Sequence, residues 1–183
     1  MFGRTDQLTI FVVIVISAVA AVTDLARGRV YNWLTFPALF LGVLTSLMFA
    51  GMSGLGQSIL GAAAGLFIFG GFFWFGAMGG GDVKLLMALG AWCGARYVEE
   101  VSVLSVLIGG VLAFFAMLFT GRLKSFVQRI YHFFLTIFVK ELAVEAPKLD
   151  HSFKMPFAVP MSIAAVWVVL AHPLEKWGLP LWP

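Results

Sequence analysis

Cysteine occurs once in 183 residues, as Cys93, so the chain builds no disulfide framework, CxxC zinc site or cysteine-rich redox centre. Charge is nearly as scarce: Asp, Glu, Lys and Arg make up 11% of the sequence, against ~25% in an ordinary soluble domain. With 61% hydrophobic residues and a mean hydropathy of +1.00, too few polar groups remain to cover a water-soluble globule. Disorder is excluded by the same composition. The three histidines, His132, His151 and His172, lack ligand spacing and read as loop or interfacial residues. Gly79-Gly80-Gly81 is not followed by GK[ST], so it is not a phosphate loop. Internal repeats and low-complexity tracts are missing too. The net charge of +3 is too small, and too scattered, to indicate a nucleic-acid partner.

What the chain has is apolar sequence in long runs. A hydrocarbon core takes about 20 helical residues, within a range of ~17–25. Six stretches come near that, the fourth and sixth a little short: Gln7–Thr23, Trp33–Ala50, Ser58–Met78, Val83–Val98, Val101–Phe119 and Pro156–His172. Their apolar residues run continuously instead of alternating, which predicts helices and not barrel strands. Between the last two, Gly121–Lys154 carries Leu123, Phe126, Val127, Ile130, Phe133, Phe134, Ile137 and Phe138 at helical spacing, with basic residues off that face. It reads as an amphipathic helix lying in the membrane interface. The expected architecture is an all-α membrane protein: one domain over residues 1–183, a polytopic bundle of about six transmembrane helices and a cytoplasmic interfacial amphipathic helix.

Basic residues orient such a bundle, because they gather on the cytoplasmic side. With the N-terminus outside, that side holds Arg27, Arg29, Lys84, Arg122, Lys124, Arg129, Lys140, Lys148 and Lys154; the outer side keeps Arg4, Arg96 and Lys176. Both termini are therefore expected outside. Tyr31, Trp33 and Trp74 then mark the inner boundary, and Trp92, Tyr97, Trp177 and Trp182 the outer one.

Seven of the nine acidic residues, Glu99 and Glu100 among them, read as solvated surface charge. Asp24 and Asp82 differ. Asp24 closes the first apolar run and Asp82 opens the fourth, and a carboxylate at an apolar boundary is a functional-site candidate by default. Two spans lie between them, so both face the same, cytoplasmic side. Simpler roles exist. Asp24 could cap a helix or pair with Arg27 or Arg29, and Asp82 could be an N-cap with Lys84 as its partner. The glycine run before Asp82 favours a site, since it offers no side-chain bulk and ready access to positive φ. Two carboxylates at close range share a proton: one takes a proton from water while the other polarises a carbonyl. That chemistry needs no metal, nucleotide or other cofactor.

These residues resemble the bacterial prepilin (type IV leader) peptidases, membrane aspartic proteases of the GxGD class. Gly79-Gly80-Gly81-Asp82-Val83-Lys84-Leu85 is similar to the family's GGGDVKL segment. Asp24-Leu25-Ala26-Arg27-Gly28-Arg29-Val30-Tyr31-Asn32-Trp33-Leu34-Thr35 resembles its first-aspartate segment, with Tyr31 in place of the usual proline. Pro156-Phe157-Ala158-Val159-Pro160 looks like its late PFGP-type segment, with Ala158-Val159 replacing the glycine. The resemblance implies an endopeptidase of the bacterial cytoplasmic membrane that removes the basic leader from prepilin or pilin-like precursors. Asp24 and Asp82 would be its catalytic pair, and Gly79, Gly81, Lys84 and Asn32 would shape the site or bind substrate. Longer members carry CxxC pairs and also N-methylate the product. This sequence lacks those cysteines, so no N-methyltransferase activity and no S-adenosylmethionine requirement are expected. The implied partners are the precursor and the lipid bilayer; the sequence leaves the oligomeric state open. The readings set against it are a small transporter or proton-coupled channel with relay aspartates, an inactive assembly factor, and a presenilin-like protease, for which the last span lacks a PAL triplet.

The N-terminus imitates a secretory signal, with Arg4, an apolar run over Leu8–Ile16 and then Ala18-Val19-Ala20. The run is expected to stay as the first span. Intact-mass measurement should therefore return the unprocessed N-terminus, and a loss of about twenty residues would overturn the topology.

Overall fold

Helix α1, Gln7–Arg27, is apolar on every face, but only one face is covered. Val13, Ile16, Ser17, Ala20 and Asp24 recur at helical spacing and are buried, while Leu8, Phe11, Val22 and Leu25 are exposed. An exposed face of large apolar residues suits hydrocarbon and not water. The computed structural model from which these positions come describes residues 7–76, 78–121 and 156–171. Among them all the regular structure is helical: α1, then α2 (Asn32–Trp74), α3 (Gly80–Cys93), α4 (Ala95–Phe119) and α5 (Ala158–Ala171). Three of these, α1, α2 and α4, are long and apolar enough to cross a membrane, and α5 is a shorter apolar helix. The chain forms a membrane helical bundle.

Helix α2 covers the second and third expected stretches. As one straight rod its 43 residues would reach about 64 Å, twice a hydrocarbon core. It breaks at Gly51, where φ 62° and ψ −148° leave the helical region in a conformation open mainly to glycine. The two halves flank α3 in opposite directions. In the first half, Asn32 bonds Lys84 and Ala38 O accepts the Trp92 indole N–H at 2.8 Å, so chain order rises together. In the second half, Ser58 Oγ donates to Ala91 O at 2.7 Å, Gly61 faces Gly90, and Gly65 faces Leu86, so the order reverses. The third expected stretch ran to Met78, whereas the helix ends at Trp74.

Helix α3 is the centre of the core. Leu85, Leu86, Ala88 and Leu89 have no exposed surface, and Val83 and Ala91 have almost none. A helix apolar all round belongs inside. At 14 residues it is about 21 Å long, short of a full crossing. The sequence suggested a span over Val83–Val98, but Gly94, at φ 85°, ends α3 with its N–H on Gly90 O and α4 starts at once. This early start moves Glu100 out of the loop expected for it, and Tyr97 out of the end of the fourth expected stretch, into the buried first turns of α4. Glu100 is 5% exposed instead of solvated, and Tyr97, equally buried, donates its hydroxyl to Ala165 O at 2.8 Å.

Helix α5 lies along α1 through small residues. Ser162 Oγ donates to Ser17 O at 2.8 Å, with Ala20, Ala158 and Ala165 buried nearby in sequence. Small side chains let apolar helices approach closely, which is the main source of their association in lipid. The chain divides into two compact units, Met1–Gly109 with Pro156–Pro183, and Gly110–Met155. Of the second, the described part is the end of α4 with Thr120 and Gly121; its Phe114 and Phe115 rings meet edge to face at 5.9 Å. The amphipathic helix expected over Gly121–Lys154 lies, beyond Gly121, outside the described residues, as do Trp177 and Trp182.

Gly61 and Gly90 are where α2 and α3 touch backbone to backbone. A Cβ at either position would run into the carbonyl of the other, which no side-chain movement relieves. Gly61→Ala is expected to cost about 1–3 kcal/mol, the usual range for overpacking, and to lower the apparent Tm in detergent. Gly56→Ala, which meets nothing within 4 Å, should be neutral or stabilising by up to about 1 kcal/mol through helix propensity.

Candidate active site

Asp24 stands in the last turn of α1, 6% exposed, just before the chain turns through Gly28. Gly28 takes φ 62° and its N–H bonds Asp24 O at 2.7 Å, the left-handed close that glycine favours. The Asp24 side chain does not serve its own helix. Its Oδ2 accepts the main-chain N–H of Ala158 at 2.9 Å, 134 positions along the chain and at the first residue of α5. Arg27, one of the simple partners suggested by sequence, turns instead to Tyr31: the guanidinium donates to the hydroxyl at 2.9 Å and lies 5.8 Å from the ring centre.

Asp82 sits in the first turn of α3, 8% exposed. It is the third helical residue, not the N-cap that the sequence allowed; Gly79 holds that place in extended conformation. The carboxylate reaches back, and its Oδ2 accepts the Gly79 N–H at 3.3 Å while the Asp82 N–H bonds Gly79 O at 3.1 Å. This is the acid half of a capping box. The three glycines do not use positive φ as the sequence suggested; that conformation falls earlier, at Gly76. They are needed for closeness. A Cβ on Gly81 would lie 3.1 Å from Val30 Cβ and 3.2 Å from Val30 O, in the turn that follows Asp24. Gly80 lies against the Phe73 ring at 3.5 Å by the same measure.

Two contacts therefore lock the Asp24 turn onto the start of α3. One is Val30 on Gly81. The other is Lys84, whose Nζ donates to Asn32 Oδ1 at 2.9 Å and lies 5.2 Å from the Phe36 ring centre. Lys84 is thus a clasp between helices and not the local partner of Asp82. The outcome is that Asp24 and Asp82 come together at one end of the bundle, close enough for the charge of one to act on the other. The exposed aromatics Trp33 and Trp74 lie at that same end, at the first turn of α2 and the last. Among the described residues no third acid, histidine or cysteine joins the pair as a metal-ligand group would require.

The match to known proteins follows this geometry. A model of the type IV leader peptidase family covers residues 11–140, which include both aspartates and the glycine run. The chain belongs to the type IV leader peptidase family. Among curated relatives, the prepilin leader peptidase/N-methyltransferase of Aeromonas hydrophila is 34% identical over 109 residues, 56% of this chain and 37% of its own length. That of Xanthomonas campestris pv. campestris is 34% identical over 106 residues, 54% of this chain and 37% of its own. The alignment thus spans little more than a third of these relatives. No solved structure matches the chain.

All six residues singled out from the sequence, Asp24, Asp82, Gly79, Gly81, Lys84 and Asn32, lie in the contacts just described. Sequence reasoning missed Val30 and the amide of Ala158, which act through packing and backbone and carry no chemical signature. The one available hint for Ala158 is its place between Pro156 and Pro160, since proline is common in a first helical turn. Gly81→Ala should push the Val30 turn away from α3 by a few tenths of an ångström. We expect a lower apparent Tm in detergent, with Gly81→Ala/Val30→Ala recovering only part of it because Val30 O still obstructs; full recovery would show that side-chain crowding alone matters.

Proposed function

We propose that the protein is an aspartic endopeptidase of the bacterial cytoplasmic membrane that cuts the basic leader from prepilin or pilin-like precursors. The observation that carries this reading is the meeting of Asp24 and Asp82. They come from different helices, 58 positions apart, on segments that touch through Gly81 and Val30 and through Lys84 and Asn32 at the end of an apolar bundle. Two buried carboxylates so placed share one proton. The ionised member takes a proton from a water molecule, whose oxygen bonds to the scissile carbonyl carbon. The protonated member donates to the carbonyl oxygen as charge develops there. Collapse of the tetrahedral intermediate breaks the C–N bond, and a proton passes to the leaving amine. Family membership supports the substrate class, and the relatives' printed names supply the words prepilin and peptidase. Methyl transfer, the second activity in those names, is outside this proposal, because a carboxylate pair serves hydrolysis.

The basic residues favour placing the site on the cytoplasmic face, with the N-terminus outside. A precursor with a basic leader and an apolar helix would then reach the site by sliding within the bilayer, presenting its junction at the level of Asp24 and Asp82. Gly79, Gly81, Lys84 and Asn32 keep the two aspartate segments in register. The active site needs no metal or other cofactor for this chemistry.

The test is leader release from a purified pilin precursor in detergent or proteoliposomes. Asp24→Asn and Asp82→Asn should each lower kcat/KM by at least ~100-fold, the scale of lost general acid–base catalysis, with unchanged elution and thermal unfolding. A pH–rate profile falling on both sides of an optimum should accompany wild-type activity. Cleavage that persists in either variant removes the pair from the mechanism.

A further inference from the structure

The bond between Asp24 and Ala158 can be read in two directions. Either Asp24 caps α5, or α5 holds Asp24. The first turn of α5 decides between them. Val159 N–H bonds Pro156 O at 3.4 Å, Met161 N–H bonds Phe157 O at 3.3 Å, and Pro160 has no N–H to offer. Ala158 N–H is the first-turn donor that these backbone bonds leave over, and it points at Asp24 Oδ2 at 2.9 Å in a buried position. The turn that carries it is anchored elsewhere. The Phe157 ring meets Phe69 of α2 edge to face at 5.7 Å, and Phe69 has no exposed surface. On its other side Phe157 fills the space left by Gly109 of α4, where a Cβ would come within 2.9 Å of the ring. Ala158 itself is fully buried. The donor is therefore set in place by aromatic packing that does not involve the carboxylate.

We propose that the main-chain N–H of Ala158 is a positioning group for Asp24. It fixes Oδ2 and leaves Oδ1 as the oxygen that meets water in the reaction. This rests on the peptidase reading above, and it adds a third segment, Pro156–Pro160, to a site otherwise built from the two aspartate segments. A donor that is rigid before substrate arrives costs no reorganisation during the reaction. A misplaced carboxylate, by contrast, forfeits the geometry on which proton transfer depends.

The test removes the donor with the smallest change available, which besides the N–H only weakens Phe157 O as the acceptor of the Met161 N–H and sets an ester oxygen opposite Oδ2. Replacing Ala158 by its α-hydroxy analogue, lactic acid, through suppressor tRNA in cell-free translation turns the amide into an ester that has no N–H. The expected result for precursor cleavage is a kcat about 10–100-fold lower with KM within about twofold, and recovery of kcat in Ala158→Gly, which keeps the N–H. Elution and thermal unfolding should stay near wild type, because Phe157 holds the turn. A second measurement leaves Ala158 untouched: in Asp24→Leu the Ala158 amide proton resonance should move upfield and exchange faster with solvent. An ester protein with wild-type kcat overturns the proposal. So does an ester protein that fails to fold, since the bond would then be a structural cap, and so does an unmoved amide resonance. Wild-type protein that releases no leader overturns the peptidase reading and this one with it.

Discussion

A carboxylate at the edge of hydrocarbon survives only where polar partners replace the water it has lost, and most of this structure follows from supplying them twice. Asp82 takes the N–H of Gly79 at the start of its own helix. Asp24 takes the N–H of Ala158 at the start of another. Helix starts are suited to this, because their first N–H groups have no partner within the helix. The fold brings the beginning of α3, the beginning of α5 and the end of α1 to one end of the bundle, and that convergence is what brings the two acids to the same place. The same convergence accounts for the tight turn at Gly28 and for the hairpin in α2 at Gly51. The second of these returns the chain to Gly79, whose N–H Asp82 takes.

Closeness is the second constraint. In lipid the apolar effect does not drive helices together, so contact area and backbone approach must do it. The glycines are placed accordingly. Gly61 and Gly90 bring α2 and α3 to backbone contact, Gly65 continues that seam toward Leu86, and Gly81 admits Val30. The seam and the site are thus one feature. Moving along α3 from Gly90 to Gly81 leads from the packing core to the acid pair with no change in the means of attachment.

Much of this was legible in the sequence. The apolar runs announced membrane helices, and the two aspartates stood out because each breaks an apolar boundary. The motif residues Asn32, Gly79, Gly81 and Lys84 are found at the junction between the aspartate segments. Other features were not legible, for identifiable reasons. Hydropathy does register the break in α2, which read as two separate stretches, but it does not register a glycine that ends a helix inside an apolar run, so the end of α3 at Gly94 was passed over. Charge counts register a glutamate without its burial, so Glu100 was read as solvated. Lys84 beside Asp82 suggested a local pair because nearness along the chain is all a sequence offers; its partner is 52 positions away.

By itself the sequence determined the solvent: a chain with so few charges and such long apolar runs has to fold in lipid, and its helices and its family follow from local composition and motif. The tertiary structure alone decided what each acid touches. Periodicity and motif are properties of neighbours along the chain, whereas the bond from Ala158 to Asp24 joins residues 134 positions apart and depends on how Phe157 seats between Phe69 and Gly109. A backbone N–H is the same in every residue but proline, so nothing in a string of letters says which of them will be left free, or where it will point.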